Sequence, residues 1–186
     1  MKIYFTASIH WRDKYGKYYQ RIVKFLKKKG HEVIADHILY HKHEDILKES
    51  DEGKVEYYRT FINWVRSADV IVAEISSPST VNIGHEISVA LDMGKPVIAF
   101  YLKGEDPVMI KAIPSEKLKV VEYTTEDLEK QLEFELAEVG RITDHRFTML
   151  LPPNIMSHLS ELAERGKSRS EYIRDLIMKD MQKGKK

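Results

Sequence analysis

Two acidic residues, one directly before a strongly apolar segment and one in the helix predicted after it, are of types and at a spacing that could support chemistry. Asp69 precedes the run 70–73, and Glu86 lies in the first turns of the helix predicted to follow. A carboxylate can attack as a nucleophile or exchange a proton, so both residues are candidate catalytic groups. Both can face one crevice, together with Tyr4 and Ser8 at the end of the first predicted strand.

Each of these residues also has an ordinary structural interpretation. A glutamate near the start of a helix, such as Glu86, commonly stabilises the helix through its interaction with the helix dipole. An aspartate before a strand, such as Asp69, can simply cap the start of that strand. Tyr4 could be a core aromatic of its strand, since aromatic residues favour strands. Glu74, at the end of the apolar run, could either line the site or serve the structure. The fold has to decide between these interpretations.

Five short β-rich runs alternate with helical patterns along residues 1–140. Several runs, such as Val70-Ile71-Val72-Ala73, are continuously apolar, as strands covered on both faces must be. The pattern predicts an α/β fold, a five-stranded doubly wound parallel sheet in the flavodoxin-like order 2-1-3-4-5. Its ligand would bind at the carboxyl ends of the strands, near the switch in strand order. The predicted strands are 2–7, 32–35, 70–75, 97–102 and 118–123.

The helical patterns between these strands each have one apolar face. They begin after the first strand, at about Val55, at about Asn82 and after a capping box at 124–127, and the first stops at Gly30. The residues predicted to face the core are Tyr15, Tyr18, Ile22, Val23, Leu26, Tyr58, Ile62, Val65, Leu128, Leu132 and Leu136.

The composition narrows the classes of function. The 186 residues carry a net charge of +1 and include no cysteine, which excludes disulfides, thiolate metal sites and a cysteine nucleophile. His37, His41 and His43 could share a metal ion, but no acidic partner stands at a firm spacing, so neither a metal nor a cofactor is predicted. The chain has no signal-peptide pattern and no apolar run long enough to cross a bilayer, so a cytoplasmic protein is expected.

The pattern changes after Gly140, which predicts a second domain at 141–186 beside a first domain at 1–140. Residues 146–151 alternate as a strand, and two short helices follow, the second capped by Ser168. This segment is basic, with 10 Lys and Arg against 6 Asp and Glu. Because one strand and two helices in about 40 residues cannot form their own core, we expect a homodimer or a higher homo-oligomer.

Four motifs in the first domain resemble those of one enzyme family. They are Tyr4-Phe5-Thr6-Ala7-Ser8-Ile9, Asp36-His37-Ile38, Ala68-Asp69-Val70-Ile71-Val72-Ala73-Glu74, and Pro78-Ser79 followed by Gly84-His85-Glu86. In this order and spacing they resemble the 2′-deoxynucleoside 5′-phosphate N-hydrolases, relatives of the nucleoside 2-deoxyribosyltransferases. The resemblance implies hydrolysis of the N-glycosidic bond of a 2′-deoxynucleoside 5′-monophosphate, which yields the free base and deoxyribose 5-phosphate.

The resemblance also implies roles for individual residues. Glu86 would be the nucleophile that forms a covalent glycosyl-enzyme, and Asp69 would be the carboxylate that helps the leaving base accept a proton. Tyr4 would orient the nucleophile through a hydrogen bond. The alternative within the family is a nucleoside 2-deoxyribosyltransferase, in which a second base rather than water takes the sugar.

The remaining implied contacts concern the substrate and its 5′-phosphate. Relatives often read Ser-Ile-Arg in the first loop, whereas this chain reads Ser8-Ile9-His10-Trp11-Arg12, so His10 or Arg12 would supply the cation that faces the phosphate. Hydroxyl groups and amides near the start of a helix suit an anion on physical grounds as well. The expected substrate contacts are Ser8, the backbone at Ile9, His10, Arg12, His37, Ser79 and Gly84.

The second domain resembles the ribbon-helix-helix (βαα) domain of small repressors over residues 146–181. In that family two chains pair their strands into a ribbon that enters the major groove of duplex DNA. The resemblance implies DNA contacts from Arg146, Thr148, Ser168, Arg169 and Ser170. Leu150 offers no hydrogen bond to a base edge, which leaves a module that only dimerises as the other interpretation. A third hypothesis for the whole chain is therefore a DNA-binding regulator that senses nucleotides.

Overall fold

The structure of the protein is a computed structural model. The structure describes residues 1–40, 50–76, 80–142, 150–164 and 168–183. The chain forms two compact units, Met1–His145 and Arg146–Lys186. Among the described residues, no helix is both long enough and apolar enough to cross a membrane.

A parallel five-stranded sheet forms the centre of the first unit. Its strands pair in the order β2-β1-β3-β4-β5, which confirms the predicted topology, and the switch in strand order lies between β1 and β3. In register, Tyr4 of β1 lies beside Ile71 of β3. The strands are β1 Lys2–Ala7, β2 Glu32–Ile34, β3 Val70–Glu74, β4 Val97–Leu102 and β5 Leu118–Tyr123.

Helices cover both faces of this sheet. A short 3₁₀ turn, Ile9–Trp11, leads from β1 into α1. The helices of the first unit are α1 Arg12–Lys28, α2 Asp36–Leu39, α3 Asp51–Ser67, α4 Val81–Asp92, α5 Val108–Lys111 and α6 Leu128–Ile142. Gly30 has a φ of 81°, in the left-handed region that ends a helix, as its place after α1 predicts.

The alternation of side chains along the strands divides the core into two layers. Ile3 and Phe5 of β1 pack with α1 and α6 on one face, where all the predicted core residues of those two helices are buried. Tyr4, between them in sequence, projects to the opposite face and packs with α3 and α4. Tyr4 is therefore directed toward the helix that carries Glu86.

Helix α3 differs from its prediction in start and in face. It begins four residues earlier than expected, because the Ser50 hydroxyl accepts a hydrogen bond from the Gly53 N–H at 3.1 Å and caps the helix. Val65 is buried as predicted, but Tyr58 is 46% exposed and Phe61 is buried in its place. The helix is thus rotated relative to the sequence-based assignment.

The second unit contains two described helices, α7 Pro153–Glu164 and α8 Arg169–Lys183. Helix α8 begins directly after Ser168, whose carbonyl accepts from the Tyr172 N–H at 3.0 Å. Most of the predicted strand 146–151 lies outside the described residues, and Leu150 and Leu151 are not in a strand.

Candidate active site

A crevice opens at the carboxyl edge of the sheet beside the β1–β3 switch point. Its volume is about 420 Å³, a size that suits a small ligand. It is lined by the end of β1 and the following turn, by α2 and α3, and by the start of α4. The lining residues are Ala7, Ser8, Ile9, His10, Ile38, Lys54, Tyr57, Tyr58, Phe61, Thr80, Asn82, Ile83, His85 and Glu86.

Glu86, on the wall of this crevice, is hydrogen-bonded to the buried Tyr4. The Tyr4 phenol donates a hydrogen bond to Glu86 Oε2 at 2.9 Å, across 82 positions of sequence. Glu86 lies three positions after Ile83 and four before Ala90, and both of these are buried, so Glu86 lies on the inward side of its helix. Glu86 as a residue is half-buried, and it lines the crevice.

Burial and hydrogen bonding oppose each other at Glu86. Loss of hydration raises the pKa of the Glu86 carboxyl above its ordinary value, while the neighbouring Thr6 and Tyr4 hydroxyl groups lower it. The pKa of Tyr4 is raised well above its ordinary value, first by burial and then by the Glu86 charge. The phenol therefore keeps its proton and acts as a hydrogen-bond donor to the carboxylate.

His37 lies behind Tyr4 rather than on the crevice wall. Its Nε2 is 3.1 Å from the Tyr4 hydroxyl oxygen, and its ring stacks on Tyr4 and Trp64 at centroid distances of 5.1 and 4.7 Å. Because Tyr4 donates its single proton to Glu86, His37 Nε2–H is the donor to the phenol oxygen. The expected substrate contact of His37 is not seen; the side chain instead fixes Tyr4. His41 and His43 lie outside the described residues.

The first loop brings three of the expected substrate contacts to the crevice and leaves one outside it. Ser8, Ile9 and His10 line the crevice, and the Ser8 hydroxyl is buried without a hydrogen-bond partner among the described residues. Arg12 does not line the crevice. Its guanidinium donates hydrogen bonds to the carbonyls of Ile38 and Leu39 at 3.4 and 3.2 Å. These bonds hold α2, the helix that carries His37, against the start of α1.

The structure does not bring Asp69 to the crevice. It is exposed at the amino edge of the sheet, where its carboxylate accepts the backbone N–H of Lys2 at 2.7 Å. Since Asp69 precedes β3, the five residues of that strand, about 16 Å in length, separate it from the carboxyl edge. Asp69 is therefore not assigned the role expected of it, which was to help the leaving base accept a proton.

Other predicted site residues fall beside the crevice or outside the described residues. Gly84 lies one turn into α4 but is not part of the lining, and a Cβ there would meet only open space. Ser79 lies outside the described residues, as do Arg146 and Thr148 of the predicted DNA-contacting set.

The rest of that DNA-contacting set lies at the start of α8. Ser168 and Arg169 are exposed there, and Arg169 donates to the Ser160 hydroxyl at 3.1 Å. Ser170 lies in the first turn of α8, and its side chain is not among those described.

Helix α3 contributes crevice residues that sequence reasoning missed. Tyr57, Tyr58 and Phe61 line the crevice, and burial together with the Glu86 charge raises the pKa of Tyr57 to about 12. The spacing of Tyr57, Phe61 and Trp64 by four and three residues is the signal that could have identified this face. On α4, His85 also lines the crevice and had been overlooked beside Glu86.

Glu74 lies at the end of β3 in a separate buried cluster. Its carboxylate accepts hydrogen bonds from the hydroxyls of Ser76 and Tyr123, the latter at 3.0 Å. Burial raises the pKa of Glu74 to about 7, although both hydroxyls oppose the shift. Glu74 is not among the crevice residues, so of its two interpretations the structure favours the structural one.

Comparison with known proteins matches this chain to one family. A family model described as nucleoside 2-deoxyribosyltransferase matches residues 3–135. A putative 2′-deoxynucleoside 5′-phosphate N-hydrolase 1 of Syntrophotalea carbinolica is 33% identical over 128 residues, which cover 66% of this chain and 84% of that protein. A 5-hydroxymethyl-dUMP N-hydrolase of Danio rerio is 31% identical over 137 residues, 72% of this chain and 94% of that protein.

Solved structures share the fold at lower identity. A 2-deoxyribosyltransferase from Bacillus psychrosaccharolyticus aligns with a TM-score of 0.53 at 18% identity, over 75% of this chain and 96% of that one. A CMP N-glycosidase of Clostridium botulinum aligns with a TM-score of 0.50 at 16% identity, over 74% of this chain and 99% of that one. These likenesses describe the fold of the first unit.

Replacing Tyr4 by phenylalanine should raise the pKa of Glu86 further. The substitution removes a hydrogen bond that stabilises the carboxylate and leaves the burial in place. The measurement is a ¹³C NMR titration of the Glu86 carboxyl, assigned by the loss of its signal in Glu86→Gln. Tyr101→Phe, another tyrosine of the same core layer, is the control. An unchanged or lower midpoint in Tyr4→Phe would contradict the proposed electrostatics.

In wild type, the free energy of unfolding should fall as rising pH ionises the buried Glu74. Replacing Glu74 by glutamine should remove this fall. The folded protein holds the Glu74 proton up to a pKa of about 7, whereas the unfolded chain releases it near its ordinary value of 4.5. The free energy of unfolding of wild type should therefore fall relative to Glu74→Gln by about 2–3 kcal/mol between pH 5 and pH 8.

Urea denaturation followed by tryptophan fluorescence measures this difference, since Trp11 and Trp64 are the protein's two tryptophans and both lie in the first unit. The exposed Glu122→Gln serves as the matched control and should track wild type. Parallel pH curves for wild type and Glu74→Gln would contradict the proposed burial cost.

Proposed function

The chain belongs to the nucleoside 2-deoxyribosyltransferase family and is an enzyme, and we propose that it hydrolyses the N-glycosidic bond of 2′-deoxynucleoside 5′-monophosphates. The observation that carries the proposal is the hydrogen bond from Tyr4 to a half-buried Glu86 on the wall of the crevice. A carboxylate held in this way on the crevice wall is suited to attack a sugar carbon.

In the proposed first step, Glu86 attacks C1′ of the deoxyribose. The bond from C1′ to the base nitrogen breaks, its electron pair leaves with the base, and the base takes up a proton. The absence of a 2′-hydroxyl on the sugar makes the positively charged transition state easier to reach. Tyr4 donates to the carboxylate and, through His37, is held in one orientation for the attack.

In the second step, water attacks C1′ of the glycosyl-glutamate. The ester bond breaks, the attacking water gives up one proton, and the Glu86 carboxylate and deoxyribose 5-phosphate are released. Glu86 has to be ionised before each attack, so activity should fall at acidic pH. Because burial raises the pKa of Glu86, this fall should begin above the pH at which an exposed glutamate titrates.

The preference for a 5′-phosphate rests on the first loop. Ser8 is buried, lines the crevice and keeps a hydroxyl without a hydrogen-bond partner among the described residues. It directly precedes the 3₁₀ turn and α1, where backbone N–H groups favour an anion. His10, exposed in the same loop, supplies a side chain that can carry a positive charge. Phosphate is also part of the substrate in the names of the N-hydrolase relatives.

We further propose that the second unit is a ribbon-helix-helix module that dimerises the chain. Apolar side chains of both its helices are exposed, and Leu159 is the one apolar side chain among its described residues that is buried. A unit of this size needs a partner to bury such a surface, and a second copy is the proposed partner. The exposed set is Ile155, Met156, Leu176, Ile177, Met178 and Met181. No observation in the described residues favours the alternative of a DNA-binding regulator.

Replacing Glu86 by glutamine should abolish release of the base. An amide is not a nucleophile toward C1′, so we expect a loss of at least about 1,000-fold in rate. Each 2′-deoxynucleoside monophosphate is incubated with wild type, Glu86→Gln and the exposed control Glu56→Gln, and the free base is measured by chromatography. Base release by Glu86→Gln at the wild-type rate would overturn the assignment.

The same assay separates hydrolysis from transfer. A second free base is added, and an unphosphorylated deoxynucleoside is tested in parallel. The proposal expects deoxyribose 5-phosphate as the main product whether or not the second base is present. A new nucleoside as the main product, or a preference for the unphosphorylated substrate, would identify a deoxyribosyltransferase.

Replacing Leu176 by glutamate should dissociate the proposed dimer, because it places a charge in the apolar surface. Light scattering after size exclusion should give a dimer for wild type and for the control Lys179→Glu, also on α8, and a monomer for Leu176→Glu. A monomeric wild type, or an unchanged dimer in Leu176→Glu, would contradict the proposal.

A further inference from the structure

Cleavage of the glycosidic bond leaves the departing base in need of a proton. Asp69 is too far from the crevice to supply it, because it lies at the opposite edge of the sheet. In the lining of the crevice, as far as the chain is described, Glu86 is the one carboxylate, and the proposed function uses it as the nucleophile. The proton therefore has to come from a different kind of side chain.

His85 is the lining residue best placed for this task. It precedes Glu86 on α4, and its Nε2 lies 3.2 Å from the Tyr58 hydroxyl of α3. The imidazole stacks on the Tyr58 ring at a centroid distance of 5.8 Å and lies 6.4 Å from the ring of Phe61. Tyr58 thus holds one imidazole nitrogen, and Nδ1 makes no hydrogen bond within the described part of the chain. An imidazole so held can pass a proton to a ligand through Nδ1.

The rings around His85 also indicate where a base would lie. Tyr58, Phe61 and His85 form a group of three aromatic rings on one wall of the crevice. Planar bases stack on such rings, whereas Ser8 and His10 mark the end of the crevice proposed for the phosphate. A substrate with its phosphate at Ser8 and its C1′ at Glu86 has this aromatic group available for its base.

The other proton donors of the crevice are less suited. Tyr57 has a pKa of about 12, so its phenol gives up a proton far less readily than an imidazolium. The Lys54 ammonium lies in an exposed ion pair with Asp51 at 3.1 Å. His10 belongs to the loop proposed for the phosphate. His85 is the remaining candidate that combines a suitable chemical group with a place beside the aromatic wall.

We propose that His85, held by Tyr58, is the general acid that protonates the leaving base. This assignment rests on the proposed function, since it completes the same reaction. As Glu86 attacks C1′ and the bond to the base breaks, the electron pair stays on the base, and the proton moves from His85 Nδ1 to the base. In the second step the neutral imidazole takes a proton from the attacking water, which restores the imidazolium and releases Glu86.

The test compares two substrates that differ in their need for a proton. One is the deoxynucleotide that wild type cleaves fastest, and the other is the same nucleotide with an electron-withdrawing substituent on its base. A substituted base leaves as a more stable anion and depends less on the acid. His85→Gln should lose about 100-fold in kcat/KM on the first substrate and at most about 10-fold on the second.

Three other variants complete the experiment. Tyr58→Phe should show the same dependence on the substrate with a smaller loss, because it removes only the hydrogen bond that orients His85. His31→Gln, at the opposite edge of the sheet, is the matched control and should equal wild type on both substrates. Glu86→Gln should lose activity equally on both substrates, because both need the nucleophile.

The outcomes separate this proposal from the proposed function. Equal losses on both substrates in His85→Gln, or losses below about threefold on both, would overturn the role of His85 while the role of Glu86 stands. Failure of wild type to release a base from any deoxynucleotide would instead overturn the proposed function itself.

Discussion

The hydrogen bond between Tyr4 and Glu86 is the interaction on which the site depends. Its partners are 82 positions apart in sequence, and the pairing of β1 with β3 together with the crossover into α4 brings them to 2.9 Å. Behind the phenol, His37 donates to the same oxygen, and its ring packs against both Tyr4 and Trp64. Arg12 in turn fixes the helix that carries His37. The arrangement presets the orientation of one carboxylate before any substrate arrives.

Burial and hydrogen bonding perform opposite tasks around that carboxylate. Loss of hydration raises the pKa of Glu86 and makes its charged form costly, which in the proposed reaction would favour attack on a positively charged sugar centre. The hydrogen bond from the Tyr4 hydroxyl limits that cost. Glu74, in a separate buried cluster at the end of β3, shows the same balance but does not line the crevice, which is why a raised pKa alone does not mark an active site.

Much of the first unit follows from the sequence because its signals are periodic. The apolar runs predicted three of the five strands to the residue and placed the other two within one residue of their ends, and their alternation with helices predicted the strand order. Tyr4 and Glu86 could be placed at one crevice because Tyr4 lies on the first strand and Glu86 in the first turns of the helix that follows the third strand, its neighbour in the sheet. The predicted place of Asp69 in the crevice was wrong. Asp69 is next to a strand, but it precedes that strand and so lies at the amino edge of the sheet, whereas the crevice lies at the carboxyl edge. The prediction of which face of α3 is buried was wrong. That helix carries several aromatic residues on different sides, so hydrophobicity alone could not determine which side packs against the sheet. These residues are Tyr57, Tyr58, Phe61 and Trp64.

Whether Glu86 forms a bond to C1′, as proposed, is tested most directly by the configuration of the product. In buffer containing methanol, attack on a glycosyl-glutamate gives methyl 2-deoxyriboside 5-phosphate after two inversions at C1′. NMR of this product should show the β configuration of the original nucleotide. The α configuration would show a single displacement by the solvent, and Glu86 would then be a base rather than the nucleophile.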